Sequence, residues 1–288
     1  MRFPLPCLLL AGLISLTGCA SMSGGNPLAS GKPPAISKEA EEALRLARVL
    51  RDNGRLQAAY EVYERMDQRK QLEGAYLLEY ASIAAAVRPQ QEALSLYGRA
   101  RQQLGGDLQD IAPGQRIALC NGVGRARLAL GQPKGAISDF QCALQVDPQN
   151  AQALNGFGVA LNITGDTEGA RQQFEKVLEH EPGNGAAANN LALSWLASGE
   201  NQRAINLLNQ ARNGSPDAAL QLNLALAYVL EGHDDTARRV LLESMQPSFA
   251  ERVLEDFRAT RQRIAAGAPL AQELLAASQR PLALSEQD

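Results

Sequence analysis

The sequence predicts an all-α fold, in which helical hairpins stack into a right-handed superhelix. The first observation is internal repetition. The stretch QALNGFGVALNITGDTEGARQQFEKVLEHEPGN aligns with IALCNGVGRARLALGQPKGAISDFQCALQVDPQN before it and GAAANNLALSWLASGENQRAINLLNQARNGSPDA after it, at a period of 34 residues. A period of that length marks a supersecondary unit that is stable only when stacked on its neighbours. The second is composition: 45% hydrophobic but only 5% aromatic residues, an alanine and leucine economy that suits close-packed helices better than sheet faces. The third is a small-large alternation at fixed places in each unit, set out below.

At 288 residues the chain exceeds one typical domain, yet Gly, Pro and Ser concentrate at its start and no second break in composition follows, so one continuous body is expected. Arg2 precedes an apolar run from Leu5 to Leu16. A charged start and a core too short for a spanning helix, which needs roughly 20 residues, make residues 1–18 an export signal. The run stops at Leu16-Thr17-Gly18-Cys19, which resembles the lipobox of bacterial lipoproteins. The resemblance implies cleavage before Cys19 and lipid on its sulfur, the one prosthetic group expected. Acyl chains contribute about 0.8 kcal/mol per buried methylene, enough to anchor the chain without spanning. Ala20 stands where an aspartate favours inner-membrane retention in such lipoproteins, so the resemblance implies the periplasmic face of the outer membrane. Residues 19–37, rich in Gly, Pro and Ser, are expected to form a flexible tether. Its root-mean-square reach is about 25 Å.

The repeats occupy residues 38–247. Starts at Ala40, Gly74, Ile117, Ala151, Gly185 and Ala218 give intervals of 34, 43, 34, 34 and 33, so one junction carries an insertion. The eighth positions are Ala47, Ala81, Gly124, Gly158, Ala192 and Ala225; the twentieth are Ala59, Ala93, Ala136, Ala170, Ala204 and Ala237. The twenty-fourth are Tyr63, Tyr97, Phe140, Phe174, Leu208 and Leu241. With Pro148, Pro182 and Pro216 closing three units, this pattern resembles the tetratricopeptide repeat. Small residues admit close helix approach, the large one fills the gap, and proline ends the second helix. Gly54, Gly131, Gly165, Gly199 and Gly232 fall where the chain turns; Arg88 takes that place in the second unit. A capping helix is expected over residues 248–266, from the spacing of Phe249, Val253, Phe257 and Ile264, with a loosely held tail over 267–288.

Function classes can be excluded on similar grounds. The 28 basic and 31 acidic residues are evenly spread, which argues against nucleic acid as partner. Gly122-Val123-Gly124 and Gly156-Phe157-Gly158 begin like a dinucleotide fingerprint, but Arg127 and Leu161 replace its third glycine, so helix packing explains them better. His180 and His233, the only histidines, have no partner spaced for metal binding or nucleophile activation. No metal site and no enzymatic activity are expected.

A binding function would use the first helix of each unit, at positions 2, 5, 9 and 12, on the concave side of the stack. Asn121, Asn155 and Asn189 occupy position 5, and Asn190 and Asn223 position 6. Such an amide row either offers donors and acceptors to an extended ligand or is general repeat grammar. Val159, Leu193 and Leu226 at position 9, with Leu196 and Val229 at position 12, either form an apolar groove for a partner or are covered by the chain's own C-terminal segment. Cys120 and Cys142, at positions 4 and 26 of the third unit, lie on facing stretches of one hairpin. In an oxidising compartment they form a disulfide, or else remain two buried thiols.

Asn189-Asn190-Leu191-Ala192-Leu193 and Leu222-Asn223-Leu224-Ala225-Leu226-Ala227-Tyr228, followed by EGHDDTARRVLLESM, resemble the C-terminal repeats of TadD-type lipoproteins of the tight-adherence (Flp) pilus system. That resemblance implies a pilotin-like adaptor that assists assembly or placement of the pilus secretin, its partner being a secretin subunit or another pilus-assembly component. The alternative is a periplasmic scaffold lipoprotein for another envelope complex, such as a type IV pilus, barrel assembly or polysaccharide export.

Overall fold

The computed structural model describes residues 36–212, 218–270, 273, 274 and 277. Among them are thirteen α-helices and no strand. They divide between Ala160 and Leu161 into two compact units. The first holds α1 (Lys38–Asp52), α2 (Leu56–Gln68), α3 (Ala75–Val87), α4 (Gln90–Leu104), α5 (Pro113–Ala129), α6 (Pro133–Leu144) and most of α7 (Ala151–Thr164). The second holds α8 (Thr167–His180), α9 (Gly185–Ala197), α10 (Asn201–Arg212), α11 (Ala218–Leu230), α12 (Asp234–Leu242) and α13 (Pro247–Ala265). Within each unit, first helices pack on their own second helix and on the one before; α3 also meets α5, α9 meets α11, and α11 meets α13. No helix among the described residues is long and apolar enough to cross a membrane. The lipobox with Cys19, the tether up to residue 35 and Pro216 lie outside the described residues.

Local chemistry sets the helix ends. Ser37 Oγ accepts from Ala40 N at 3.2 Å, and Asp166 Oδ1 from Gly169 N at 2.9 Å, each satisfying a donor that the helix leaves unpaired. Pro113, Pro133 and Pro247 occupy first-turn positions where no N–H is needed. Gly54, Gly131, Gly165, Gly199 and Gly232 all adopt positive φ in the turns. Arg88 does not follow them: it is extended at φ −126°, its N–H donates to Ala84 O, and Pro89 opens α4. An X-Pro junction thus replaces the left-handed turn.

The alternation is the core. All six alanines at position 20, and Tyr63, Tyr97, Phe140, Leu208 and Leu241 at position 24, are fully buried, with Phe174 nearly so. Phe140 lies so close to Gly124 and Gly156 that a Cβ on either would stand 2.9 and 2.4 Å from its ring. Tyr97 makes the same demand on Gly122, at 2.3 Å. These glycines are packing positions.

The insertion forms the loop from Gly105 to Ala112, where Ile111 is buried and Leu108 packs against the apolar residues of α1–α4 and also against the Cys120, Ala143 and Ala153 cluster. At the other end α13 buries Val253, Leu254 and Phe257. Arg258 and Arg261 of α13 both donate to Asp234 at 2.7 Å, and Arg261 also donates to Val229 O at 2.6 Å. The expected loose tail does not begin at 267. Leu274 and Ala277 are buried in the apolar cluster of α9–α13, and Glu273 accepts from Arg263 at 2.9 Å. Apolar residues at 270, 274 and 277 share one helical face, which supplies the burial that composition alone did not suggest.

Candidate protein-binding site

In the first unit the predicted amides point inward. Asn121 Nδ2 donates to Asn150 Oδ1 at 3.0 Å, and the same oxygen accepts from Ala153 N at 3.1 Å, capping α7. Asn121 thereby orients the cap of the next repeat. Its own Oδ1 is buried with no hydrogen-bond partner. Asn155 and Val159, both 8% exposed, are buried on α7. Cys120 and Cys142 are joined by a disulfide, with Cα atoms 6.0 Å apart, tying α5 to α6.

In the second unit Asn223 Nδ2 donates to Asn189 Oδ1 at 2.6 Å, a bond between side chains 34 residues apart. One repeat's amide thus fixes that of the repeat before, and Asn189 itself is half-buried. Asn190 and Leu193 are also half-buried.

Seven of the ten expected groove residues need correction, Asn121, Asn155, Val159 and Asn223 being buried as well as the three aliphatic residues that follow. Leu196, Leu226 and Val229 are fully buried, so they do not line an open groove. Helix α11 is enclosed by α9, α10, α12 and α13, which leaves nine of its thirteen residues buried. Leu274 and Ala277 share that cluster. The open surface retained is Asn189, Asn190 and Leu193 on α9.

Two charged arrangements escaped sequence reasoning. Glu79, 3% exposed, accepts from Arg48 Nε at 2.9 Å, again from Arg48 Nη2, and from Tyr63 OH at 2.9 Å. Burial first, then the Glu79 charge, pushes the Tyr63 phenol well above its ordinary range. The hydrogen bond to Glu79 raises the Arg48 guanidinium above its ordinary value. The signal was a lone carboxylate in the otherwise apolar AYLLEYAS. In the second unit, the guanidinium groups of Arg171 and Arg203 lie 3.9 and 4.7 Å from the Trp195 ring centre. Arg171 also donates to Ser194 Oγ and O, at 3.0 and 2.9 Å. The bonds of Arg48 and Tyr63 to Glu79 and of Arg171 to Ser194 each cross between helices, which makes them braces.

His180 and His233 are exposed, and the His233 ring lies edge-on to Tyr228 at 6.5 Å. Among the described residues no group of three His, Cys, Asp or Glu side chains is arranged to hold a metal ion.

Models of the tetratricopeptide repeat match residues 124–184 and 161–221. No curated protein matches the sequence significantly. A tetratricopeptide repeat protein from Parabacteroides merdae superposes with a TM-score of 0.56 at 19% identity, over 84% of this chain and 100% of that one. PilF of Pseudomonas aeruginosa gives 0.54 at 15%, over 83% and 99%. TTC0263, a thermophilic protein of this type from Thermus thermophilus, gives 0.53 at 21%, over 66% and 99%. At these identities the likeness speaks to the fold. It is the tetratricopeptide-repeat fold, whose stacked first helices serve as a scaffold for binding other proteins.

Proposed function

We propose that this protein is an outer-membrane-anchored adaptor that captures a segment of a secretin subunit and assists its assembly or placement in a Flp/Tad-type pilus. The adaptor reading is carried by one observation: on a fold made for protein recognition, α9 presents two amides and a leucine, Asn189, Asn190 and Leu193, on a half-open surface. Asn189 is held in place by Asn223, so an extended segment meets a fixed pattern of donors and acceptors beside an apolar contact. The anchor rests on Leu16-Thr17-Gly18-Cys19, and the pilus partner on the resemblance of the 189–193 and 222–228 stretches to TadD-type repeats. The mechanism is mechanical. Lipid on Cys19 fixes the chain to the membrane, the tether gives reach, and α9 engages the partner.

The test is copurification of the full chain from gently crosslinked native envelopes, with captured chains identified by mass spectrometry. Recovery of a secretin, lost in a Leu193→Asp variant, is the expected result. Recovery of barrel-assembly or polysaccharide-export components without a secretin would overturn the pilus partner. A Cys19→Ser variant should leave the membrane fraction; its retention there would overturn the anchor.

A further inference from the structure

Internal first helices cover two positions against the second helix before them. In α3 these are Tyr80 and Ile83, and the Tyr80 ring centre lies 5.4 and 5.9 Å from those of Tyr60 and Tyr63 on α2. In α9 the tenth position is Ser194, 1% exposed and bonded to Arg171 of α8 at 3.0 Å. Helix α1 has no helix before it among the described residues, yet it carries Leu46 and Val49 at the same two positions, 52% and 50% exposed. Terminal repeats ordinarily present a polar outer face. Two large aliphatic side chains one turn apart, at the places where later units make their inter-repeat contact, form the edge of an incomplete stack.

In internal units these positions have the second helix of the unit before as their neighbour, as α3 has α2. Residues 20–35 offer Met22 and Leu28 as their only large apolar residues, set among Gly, Pro and Ser, a sequence without the apolar period of an amphipathic helix. We propose that the neighbour is α1 of a second copy, paired across a two-fold axis. In that register Leu46 of each copy faces Val49 of the other. Glu42 faces Asn53 and comes within reach of Arg55. Glu42 and Arg55 are exposed and make no side-chain ion pair within the described residues, so the pairing satisfies complementary charges twice, once at each end of the apolar centre. A two-fold axis demands this self-complementarity. Helix α1 has 15 residues, about 22 Å of length at the standard rise, so the interface is small and the dimer belongs to the weak, concentration-dependent class.

The full chain, purified in detergent, is examined by sedimentation velocity across micromolar concentrations. A reversible monomer–dimer equilibrium is expected. In Leu46→Glu/Val49→Glu, like charges meet at the centre and raise the dissociation constant about a hundredfold, with unchanged far-UV circular dichroism. Glu42→Arg should weaken the dimer, and Arg55→Glu added to it should restore it. A chain that stays monomeric throughout, with Leu46 covered by its own upstream segment or by another protein, overturns the proposal. So does a dimer that survives Leu46→Glu/Val49→Glu, or one indifferent to the charge reversal.

Discussion

The Cys120–Cys142 disulfide closes a loop with a sequence separation of 22 residues between two helices of one hairpin. Replacing both cysteines by alanine restores conformational freedom to the unfolded chain, and the loop-entropy relation gives about 3 kcal/mol at 25 °C for a separation of 22. Packing adds to this. Cys120 is 4% exposed beside Ala143 and Ala153, with Leu108 of the insertion against the same cluster, so losing the sulfurs leaves a small void costing about 1 kcal/mol. The total, about 4 kcal/mol, should not spread evenly, because a repeat array transmits stability mainly between neighbours. Urea unfolding followed by circular dichroism measures the total, and amide hydrogen exchange locates it. Protection should fall most in α5, α6 and the loop before α5. Reductant should reproduce the loss in the natural protein and do nothing further to Cys120→Ala/Cys142→Ala. A loss below about 1 kcal/mol, or an equal reductant effect on both proteins, would refute the staple and favour buried thiols as small apolar residues.

Other substitutions test the packing and the site. Gly156→Ala puts a Cβ 2.4 Å from the Phe140 ring, and overpacking of that kind should cost about 2 kcal/mol in urea unfolding. Glu79→Gln leaves Arg48 without its counter-charge; because the Arg48 side chain is 34% exposed, the loss should be about 2 kcal/mol, below that of a fully buried pair, read from the same unfolding curves. Burial opposes the charged form of Asp234, but hydrogen bonds from Arg261 and Arg258 outweigh it and hold its carboxyl below the ordinary value. Its contribution is therefore full above the ordinary carboxylate pKa and is lost as pH falls through the depressed one; hydrogen exchange in α13 should rise over that acid window, and Asp234→Asn should remove the pH dependence. Leu226→Asp, which buries a charge, should unfold the second unit, whereas Leu193→Asp should keep helix content and lose only partner capture.

The repeat register was legible because each mark has one physical cause. Alanine at position 20 and a large residue at position 24 are required wherever two helices cross closely, and their burial throughout follows from that single geometry. The cysteine pair was legible as a proximity for the same reason: two positions on one hairpin face each other whatever surrounds them. The groove was not, because exposure at positions 9 and 12 depends on what lies beside the helix, and no property of Leu196, Leu226 or Val229 distinguishes a covered leucine or valine from an open one. All three belong to one apolar cluster with residues of α10–α13 and with Leu270, Leu274 and Ala277, whose spacing is ordinary amphipathic spacing. The amides divided for a related reason. Asn121 is committed to Asn150, the residue that caps the next helix, whereas Asn189 receives its bond from Asn223 and stays half-buried, although the residue and its position are identical.

The two ends of the array are finished by different means, and the difference bears on where partners bind. At the C-terminal end the last apolar surface is closed twice, by α13 and by the buried Leu274 and Ala277, while Arg258 and Arg261 clamp α13 to Asp234. A partner seeking that surface must displace a helix held by both apolar contact and ion pairs. At the N-terminal end no such cap precedes α1 among the described residues, and α1 shows an aliphatic pair at positions that internal units cover wholly or in part. Burying exposed apolar area there contributes roughly 25 cal/mol per Å², and among the described residues no contact covers Leu46 and Val49 as α13 covers the other end. Dimerisation through α1 brings two copies of α9 into one assembly, so one dimer carries two partner sites. A Leu46→Glu/Val49→Glu monomer that captures its partner as tightly per chain, but loses avidity for a multimeric secretin, would show that pairing at α1 serves multivalent capture.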